Sequence, residues 1–224
     1  MKSKVYLFCN DTYGRAFLDV FCLSARDSKD MDFILVRSLK GAGTGAVSSL
    51  ARALRRPGKF LVDCYDMTGL RRDGVTALQV ADVGHPNFCH SVPVGSVGFV
   101  AGFNQIFRNS LIQRFSSFVN FHPSILPCYR GAIPSYWVIK NGEPITGVTA
   151  HAIVERIDAG EILYQELVEV NPGISEVDLD NKIARVGAYY LAECLRRLKE
   201  GRPFRRRPVM NPYRHEVDYV SSVR

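Results

Sequence analysis

Short apolar runs that end in polar residues recur through the first half of the chain. Residues 5–9 (VYLFC) stop at Asn10 and Asp11, residues 33–39 form a second run, and 97–101 (VGFVA) and 118–121 (FVNF) follow. Such runs, with polar loops after them, are the pattern of strands buried on both faces of a parallel sheet. Residues 60–62 are a further, shorter strand candidate. Helical spacing alternates with these runs: Phe17, Leu18, Phe21 and Cys22 within 14–23, and Val47, Leu50, Ala51 and Leu54 within 46–54. Residues 64–92 are weakly patterned, with a loop marked by His85, Pro86 and Asn87. Beyond them, 135–140 reads as helical, Asn141-Gly142 is a strong turn signal, and 145–154 and 162–170 read as adjacent antiparallel strands. A long amphipathic helix over 175–199 starts with Ser175 as cap and Asp178 three residues later. The alternation predicts an α/β architecture: a mostly parallel sheet with helices on both faces, and antiparallel strands near the C-terminal half.

At 224 residues the chain suits one domain with a substantial core. The expected division is a domain over 1–200 and a short extension over 201–224 that is not an independent domain. The six cysteines (9, 22, 64, 89, 128 and 194) include no pair at two-residue spacing, so neither a zinc ribbon nor a thioredoxin-type motif is present. No run of about 18 apolar residues predicts a membrane span, and the apolar stretch before Asn10 is short for a signal peptide. Reduced cysteines and a cytoplasmic location are expected, with no metal and no membrane partner. The net charge of +7 favours anionic partners, but much of its excess is concentrated in the last quarter, where RPFRRRP reads either as a solvated basic end or as a site for a phosphate-bearing substrate or nucleic acid. The glycines at 41, 43 and 45 follow a strand and precede a helix, yet lack the third glycine of a dinucleotide fingerprint one position later.

The candidate chemistry lies in VNFHPSILPCYRGAIPSYW, residues 119–137, and ERIDAGEIL, residues 155–163. Asn120 offers an amide, His122 an imidazole and Asp158 a carboxylate. Together they suit acyl transfer: a donor for an oxyanion, a proton carrier, and a group that orients it. Asn120 and His122 fall at the end of one strand candidate, and Phe103-Asn104 just after another. Active sites of open α/β sheets lie beyond the carboxyl ends of strands. Pro123 and Pro127 stiffen the loop after His122.

NFHPSILPCYRGAIPSYW followed by GEPITGVTAHAIVERIDAGEIL resembles the 10-formyltetrahydrofolate-dependent formyltransferase family. The family pattern is Asn-x-His-Pro-Ser-Leu-Leu-Pro, a basic residue before Gly, a Gly-x-Thr-x-His strand and a closing Asp-x-Gly. This chain matches at Asn120, His122, Pro123, Ser124, Leu126, Pro127, Arg130, Gly131, Gly147, Thr149, His151, Asp158 and Gly160. The resemblance implies a Rossmann-like formyltransferase fold and Asn120, His122 and Asp158 as the catalytic trio. It implies N10-formyltetrahydrofolate as co-substrate, held by Gly102, Phe103, Asn104, Ile106, Ile157 and Gly160. Acceptor contacts are expected from Asn10, Asp11, Tyr13, Arg15, Ser124, Arg130 and Trp137. The stretch Tyr129-Arg130-Gly131-Ala132-Ile133-Pro134 departs from the Lys-Gly-Ser-Asn stretch of the glycinamide ribonucleotide branch and resembles the methionyl-tRNA and sugar branches. Methionyl-tRNA enzymes carry an additional carboxyl-terminal domain, for which 201–224 is too short. The implied acceptor is therefore the amine of a nucleotide-linked amino sugar (dTDP- or GDP-linked, 4-amino-4-deoxy or 3-amino), as in cell-surface glycan or lipopolysaccharide biosynthesis. A homodimer that does not bind nucleic acid is implied with it. The alternatives are a methionyl-tRNA formyltransferase-like enzyme without the tRNA domain, and a non-catalytic homologue acting as a binding subunit.

Overall fold

β1 (Ser3–Cys9) is buried from Val5 onward and sits inside the sheet, with β2 (Met31–Ser38) on one side and β5 (Ser96–Ala101) on the other, both parallel to it. The computed structural model describes residues 2–10, 13–28, 30–39, 62–65 and 71–208. Its other strands are β3 (Val62–Tyr65), β4 (Arg71–Val80), β6 (Phe115–His122), β7 (Ile145–Ala152) and β8 (Ile162–Glu169). They form one eight-stranded sheet in the order β3-β4-β2-β1-β5-β6-β7-β8. The four pairs from β4 to β6 are parallel, whereas β3–β4, β6–β7 and β7–β8 are antiparallel. The mostly parallel sheet and its antiparallel C-terminal strands are thus as the hydrophobic pattern predicts.

Alternation along each strand divides the interior into two cores. Val5, Leu7 and Cys9 face one side, Tyr6 and Phe8 the other. The larger core packs the sheet against α1 (Tyr13–Arg26) and α5 (Glu176–Lys199), through Phe17 and Phe21 of the first and Ile183 and Leu191 of the second. The Phe17 and Phe121 rings lie 4.7 Å apart in it. Truncating such a buried phenylalanine to alanine costs about 3–5 kcal/mol. The smaller core is an aromatic cluster around Phe8, closed by Cys89 of α2 (Pro86–Ser91) and Leu111 of α3 (Asn109–Ile112). Cys9, Cys22, Cys89, Cys128 and Cys194 are all buried.

Three expectations meet the structure differently. The weakly patterned region contains the ten-residue strand β4, whose pairing with β2 supplies what its own sequence lacks. Of the strand expected at 60–62 only Val62 is described, and it opens β3, which runs on to Tyr65; residues 60–61, the helix expected at 46–54, the glycine cluster and Asp11 lie outside the described residues. Val177, an apolar residue of the amphipathic helix expected over 175–199, is 56% exposed. It belongs to the first turn of α5, which extends past the core to the cleft described below. Ser175 caps that helix: its Oγ accepts from the Asp178 N–H at 3.1 Å, worth about 1 kcal/mol. After α5 the chain returns along β8, with reciprocal backbone bonds from Arg207 N–H to Leu163 O (2.7 Å) and from Gln165 N–H to Arg207 O (2.9 Å). That pairing covers part of an otherwise open sheet edge. The residues from 209 onward lie outside the described set. Among the described residues no helix is long and apolar enough to cross a membrane.

Candidate active site

The strand ends are tied together before any side chain reaches a ligand. At the end of β1, Asn10 donates its side-chain amide to Asn104 Oδ1 and accepts the Ser38 N–H, both at 2.7 Å. Gln105, buried beside them, donates to Ser38 Oγ at 2.5 Å and to Val80 O at 3.2 Å and accepts the Val83 N–H at 2.9 Å. The segment after β5 is therefore pinned to β1, β2 and β4. It forms one wall of a cleft of about 690 Å³ at the carboxyl end of the parallel strands.

β6 delivers the amide and the imidazole. Val119 and Phe121 join the larger core, so alternation puts Asn120 on the opposite face, with His122 beyond it. The antiparallel register sets Asn120 across from His151 and His122 across from Thr149. Thr149 Oγ1 donates to Ser124 O (2.6 Å) and accepts the Leu126 N–H (3.0 Å), which fixes the loop that follows His122.

The carboxylate arrives from the loop between β7 and β8. Asp158 adopts a left-handed backbone (φ 49°), as do Tyr129 (58°) and Ile133 (51°). All three belong to the two loops that frame the trio, and each such conformation costs about 1–3 kcal/mol. Gly160 permits this loop to turn under β7, because a Cβ there would lie 1.7 Å from Ala152 O.

Tautomers follow from the partners, since a carbonyl oxygen only accepts. His122 Nε2 lies 2.7 Å from Tyr129 O, so Nε2 carries the hydrogen and Nδ1 faces Asp158 Oδ2 at 3.6 Å. His151 Nδ1 lies 2.9 Å from Ala152 O and carries its hydrogen, so Nε2 accepts from Asn120 Nδ2 at 3.1 Å. Asp158 Oδ2 accepts the Gly131 N–H at 2.8 Å, and Oδ1 lies 3.4 Å from His151 Nε2 and 3.5 Å from Asn120 Nδ2. The trio thus converges on Asp158.

Burial is the largest influence on both titrating groups, and they respond oppositely. His122 is 4% exposed. Desolvation holds its pKa below the ordinary imidazole value, while Asp158 and the Tyr129 bond pull the other way. Burial would raise Asp158, but the positive charge of the His122 imidazolium, followed by His151 and the Gly131 N–H, outweighs it and holds the carboxyl well below the usual range. At neutral pH the arrangement is an uncharged imidazole, unprotonated at Nδ1, beside a carboxylate. A proton accepted at Nδ1 is stabilised by that charge.

Of the remaining residues expected from the sequence, Gly102, Phe103, Asn104, Ile106, Ile157 and Tyr13 line the same cleft as the trio. The others stand apart from it. Asn10 ties strand ends together, and Gly160 supports the Asp158 loop from behind. Ser124 is fully buried and donates to Cys128 O at 2.9 Å, bracing its own turn. Arg15 is on the exposed side of α1, and Arg130 is half-buried beside Gly131. Trp137, on α4 (Pro134–Lys140), packs edge-on against Tyr136, with Lys140 Nζ 4.8 Å from its ring. Sequence reasoning assigns no role to His151, although it stands in the motif, and misses the far wall. There Glu155, Ser135, Glu176 and Asp180 line the cleft, with Ser135 Oγ donating to Asp180 Oδ1 at 2.5 Å. The acidic start of the last helix is the available signal.

A sheet with this strand order carries an amide–imidazole–carboxylate trio at its carboxyl edge, a set of groups suited to acyl transfer. Residues 94–195, from just before β5 to the last turns of α5, match the formyl transferase family model. A methionyl-tRNA formyltransferase of Clostridioides difficile (strain 630) is 34% identical over 135 residues, covering 56% of this chain and 44% of that protein. The chain therefore spans less than half the length of that relative. Two solved structures share the fold over nearly the whole chain. A sugar N-formyltransferase from Shewanella sp FDAARGOS_354 superposes with a TM-score of 0.66 at 17% identity, over 97% of this chain and 76% of that one. Glycinamide ribonucleotide transformylase 1 from Symbiobacterium toebii gives 0.64 at 18%, over 93% and 95%. At these identities the likeness is one of fold.

Proposed function

We propose that the protein transfers the formyl group of N10-formyltetrahydrofolate to the amine of a nucleotide-linked amino sugar. The observation that carries this reading is the convergence of Asn120 and His122 on Asp158, at 3.5 Å and 3.6 Å, at the floor of the cleft. In the proposed reaction the acceptor nitrogen attacks the formyl carbon and the carbonyl oxygen becomes an oxyanion. One Asn120 N–H is engaged by His151; the other, too long for a firm bond to Asp158, is the donor for the oxyanion. His122 Nδ1 takes the proton from the attacking amine, and Asp158 stabilises the imidazolium that results. The carbon–N10 bond then breaks, its electron pair and a proton going to N10. Phe103, Phe107, Ile106 and Ile157 give the cleft an apolar wall suited to a flat folate ring.

Among the described residues that line the cleft, Glu155, Asp158, Glu176 and Asp180 are charged and none is Lys or Arg. The proposal therefore puts the amino sugar in the described cleft and its diphosphate beyond it, with Arg15 or Arg130 as the cations to meet it. We propose a catalytic domain over 1–200, with 201–224 as its extension, and a cytoplasmic homodimer. Incubation with N10-formyltetrahydrofolate and a panel of dTDP-, GDP- and UDP-linked amino sugars, read by mass spectrometry for a formyl gain, tests the reading. No gain on any member removes it. The identity to methionyl-tRNA formyltransferases supports a second reading, with tRNA-borne methionine as the acceptor. Tight, salt-sensitive retention of initiator tRNA in filter binding selects that one instead.

A further inference from the structure

Tyr129 is fully buried, carries a left-handed backbone (φ 58°), and belongs to neither the trio nor the cleft wall. Side-chain-bearing residues avoid that conformation unless something holds them in it. Here the hold is at the ring's far end: the Tyr129 hydroxyl donates to Glu143 Oε1 at 2.5 Å and accepts from Asn141 Nδ2 at 3.1 Å. Both partners are themselves fastened to the end of α4, Asn141 N–H to Trp137 O at 3.0 Å and Glu143 N–H to Val138 O at 3.1 Å. The consequence appears in the backbone. Tyr129 O accepts the His122 Nε2–H at 2.7 Å, and two residues on, the Gly131 N–H donates to Asp158 Oδ2 at 2.8 Å. One short stretch of main chain thus grips both members of the proton-handling pair.

We infer that Tyr129 is a positioning residue: its hydroxyl, anchored on Glu143 and Asn141, holds the 129–131 backbone so that His122 is protonated at Nε2 and keeps Nδ1 open toward Asp158. Without the anchor, the loop is free to leave the left-handed conformation, and Tyr129 O no longer selects the tautomer. The charged or titratable groups facing the His122 ring are Asp158, from the β7–β8 loop, and His151, from β7. In the other tautomer the hydrogen sits on Nδ1, aimed at Asp158, and that nitrogen cannot act as base. The kinetic consequence rests on the proposed formyl transfer; the tautomer does not.

The test combines Tyr129→Phe, Glu143→Ala and Glu143→Gln with imidazole 15N chemical shifts, which distinguish Nδ1–H from Nε2–H rings, using His122→Asn to assign the signal. In the parent protein His122 is expected as Nε2–H. Tyr129→Phe and Glu143→Ala are expected to populate the Nδ1–H form and to lower kcat about tenfold, the effect of one lost hydrogen bond, with KM nearly unchanged. Glu143→Gln retains an acceptor and is expected to restore both signals and turnover. An unchanged His122 pattern in folded Tyr129→Phe overturns the inference. If that variant does not fold, identical His122 patterns in Glu143→Ala and Glu143→Gln overturn it instead. Absence of formyl transfer in the parent protein, with the tautomer shift intact, overturns the functional reading and leaves the positioning role standing.

Discussion

Asn120 and His151 stand directly opposite each other across β6 and β7, and His151 Nε2 accepts the Asn120 amide at 3.1 Å. The contact decides which way the amide points. His151→Ala removes the acceptor and leaves Asp158 as the competing partner for both amide hydrogens. Steady-state kinetics should show kcat reduced about tenfold, the weight of one hydrogen bond, with KM for the folate little changed. An unaltered kcat removes His151 from the positioning of the site.

Direct removal of the groups proposed to react should be more severe. Asn120→Ala is expected to lower kcat by about 10²–10³, as loss of an oxyanion donor does. His122→Asn should lower it by about 10²–10⁴ through loss of proton transfer. Single-turnover formyl transfer, with circular dichroism to verify folding, measures both. Turnover within a few-fold of the parent in either variant assigns the chemistry elsewhere.

The burial of His122 has a pH signature. Its folded pKa lies below the ordinary value of about 6.5, so below that pH the unfolded chain takes up the proton first and stability falls with acidification. The contribution is fully present above about 6.5 and is lost as pH drops toward the folded pKa. The thermal midpoint should therefore decline between pH 7.5 and 5.5, and less so in His122→Asn. The acid limb of kcat/KM should fall below pH 6.5; a limb above it contradicts a base kept neutral by burial.

Asp158 behaves with the carboxylate sign. Its folded pKa is depressed, so its contribution is complete above an ordinary carboxyl value of about 3.9 and disappears as pH falls through the folded value. Denaturant titrations at pH 5 and pH 3 should show the parent losing more stability over that interval than Asp158→Asn. Equal losses indicate a carboxyl unperturbed by its neighbours.

Gly160→Ala tests the loop that carries Asp158. Its Cβ would lie 1.7 Å from a backbone oxygen of β7, so the backbone itself must shift. A loss of about 2 kcal/mol, or roughly 4–8 °C in Tm, is expected from overpacking of this kind. Calorimetry and turnover should fall together; an unchanged Tm indicates a loop with room to spare.

Much of this architecture is legible along the chain. The apolar runs at 5–9, 33–39 and 97–101 are strands because residues buried on both faces of a sheet have few polar choices. The 175–199 helix is announced by its cap and its spacing. Asn120, His122 and Asp158 are recognisable as residue types with a shared chemistry, and their motif ties them together. Other features have no local signal. β4 is a strand because β2 pairs with it. His151 gains its partner only from the β6–β7 register, and the Ser135–Asp180 wall only from the packing of α4 near α5. The grip of Tyr129 on His122 and its anchorage on Glu143 are likewise invisible in the order of residues. The sequence by itself determined which strands and helices form and which groups can react, because burial and propensity act over a few neighbours. Only the tertiary structure decided tautomers, charge states and partners, because hydrogen bonds and desolvation depend on which distant atoms are brought within about 3 Å.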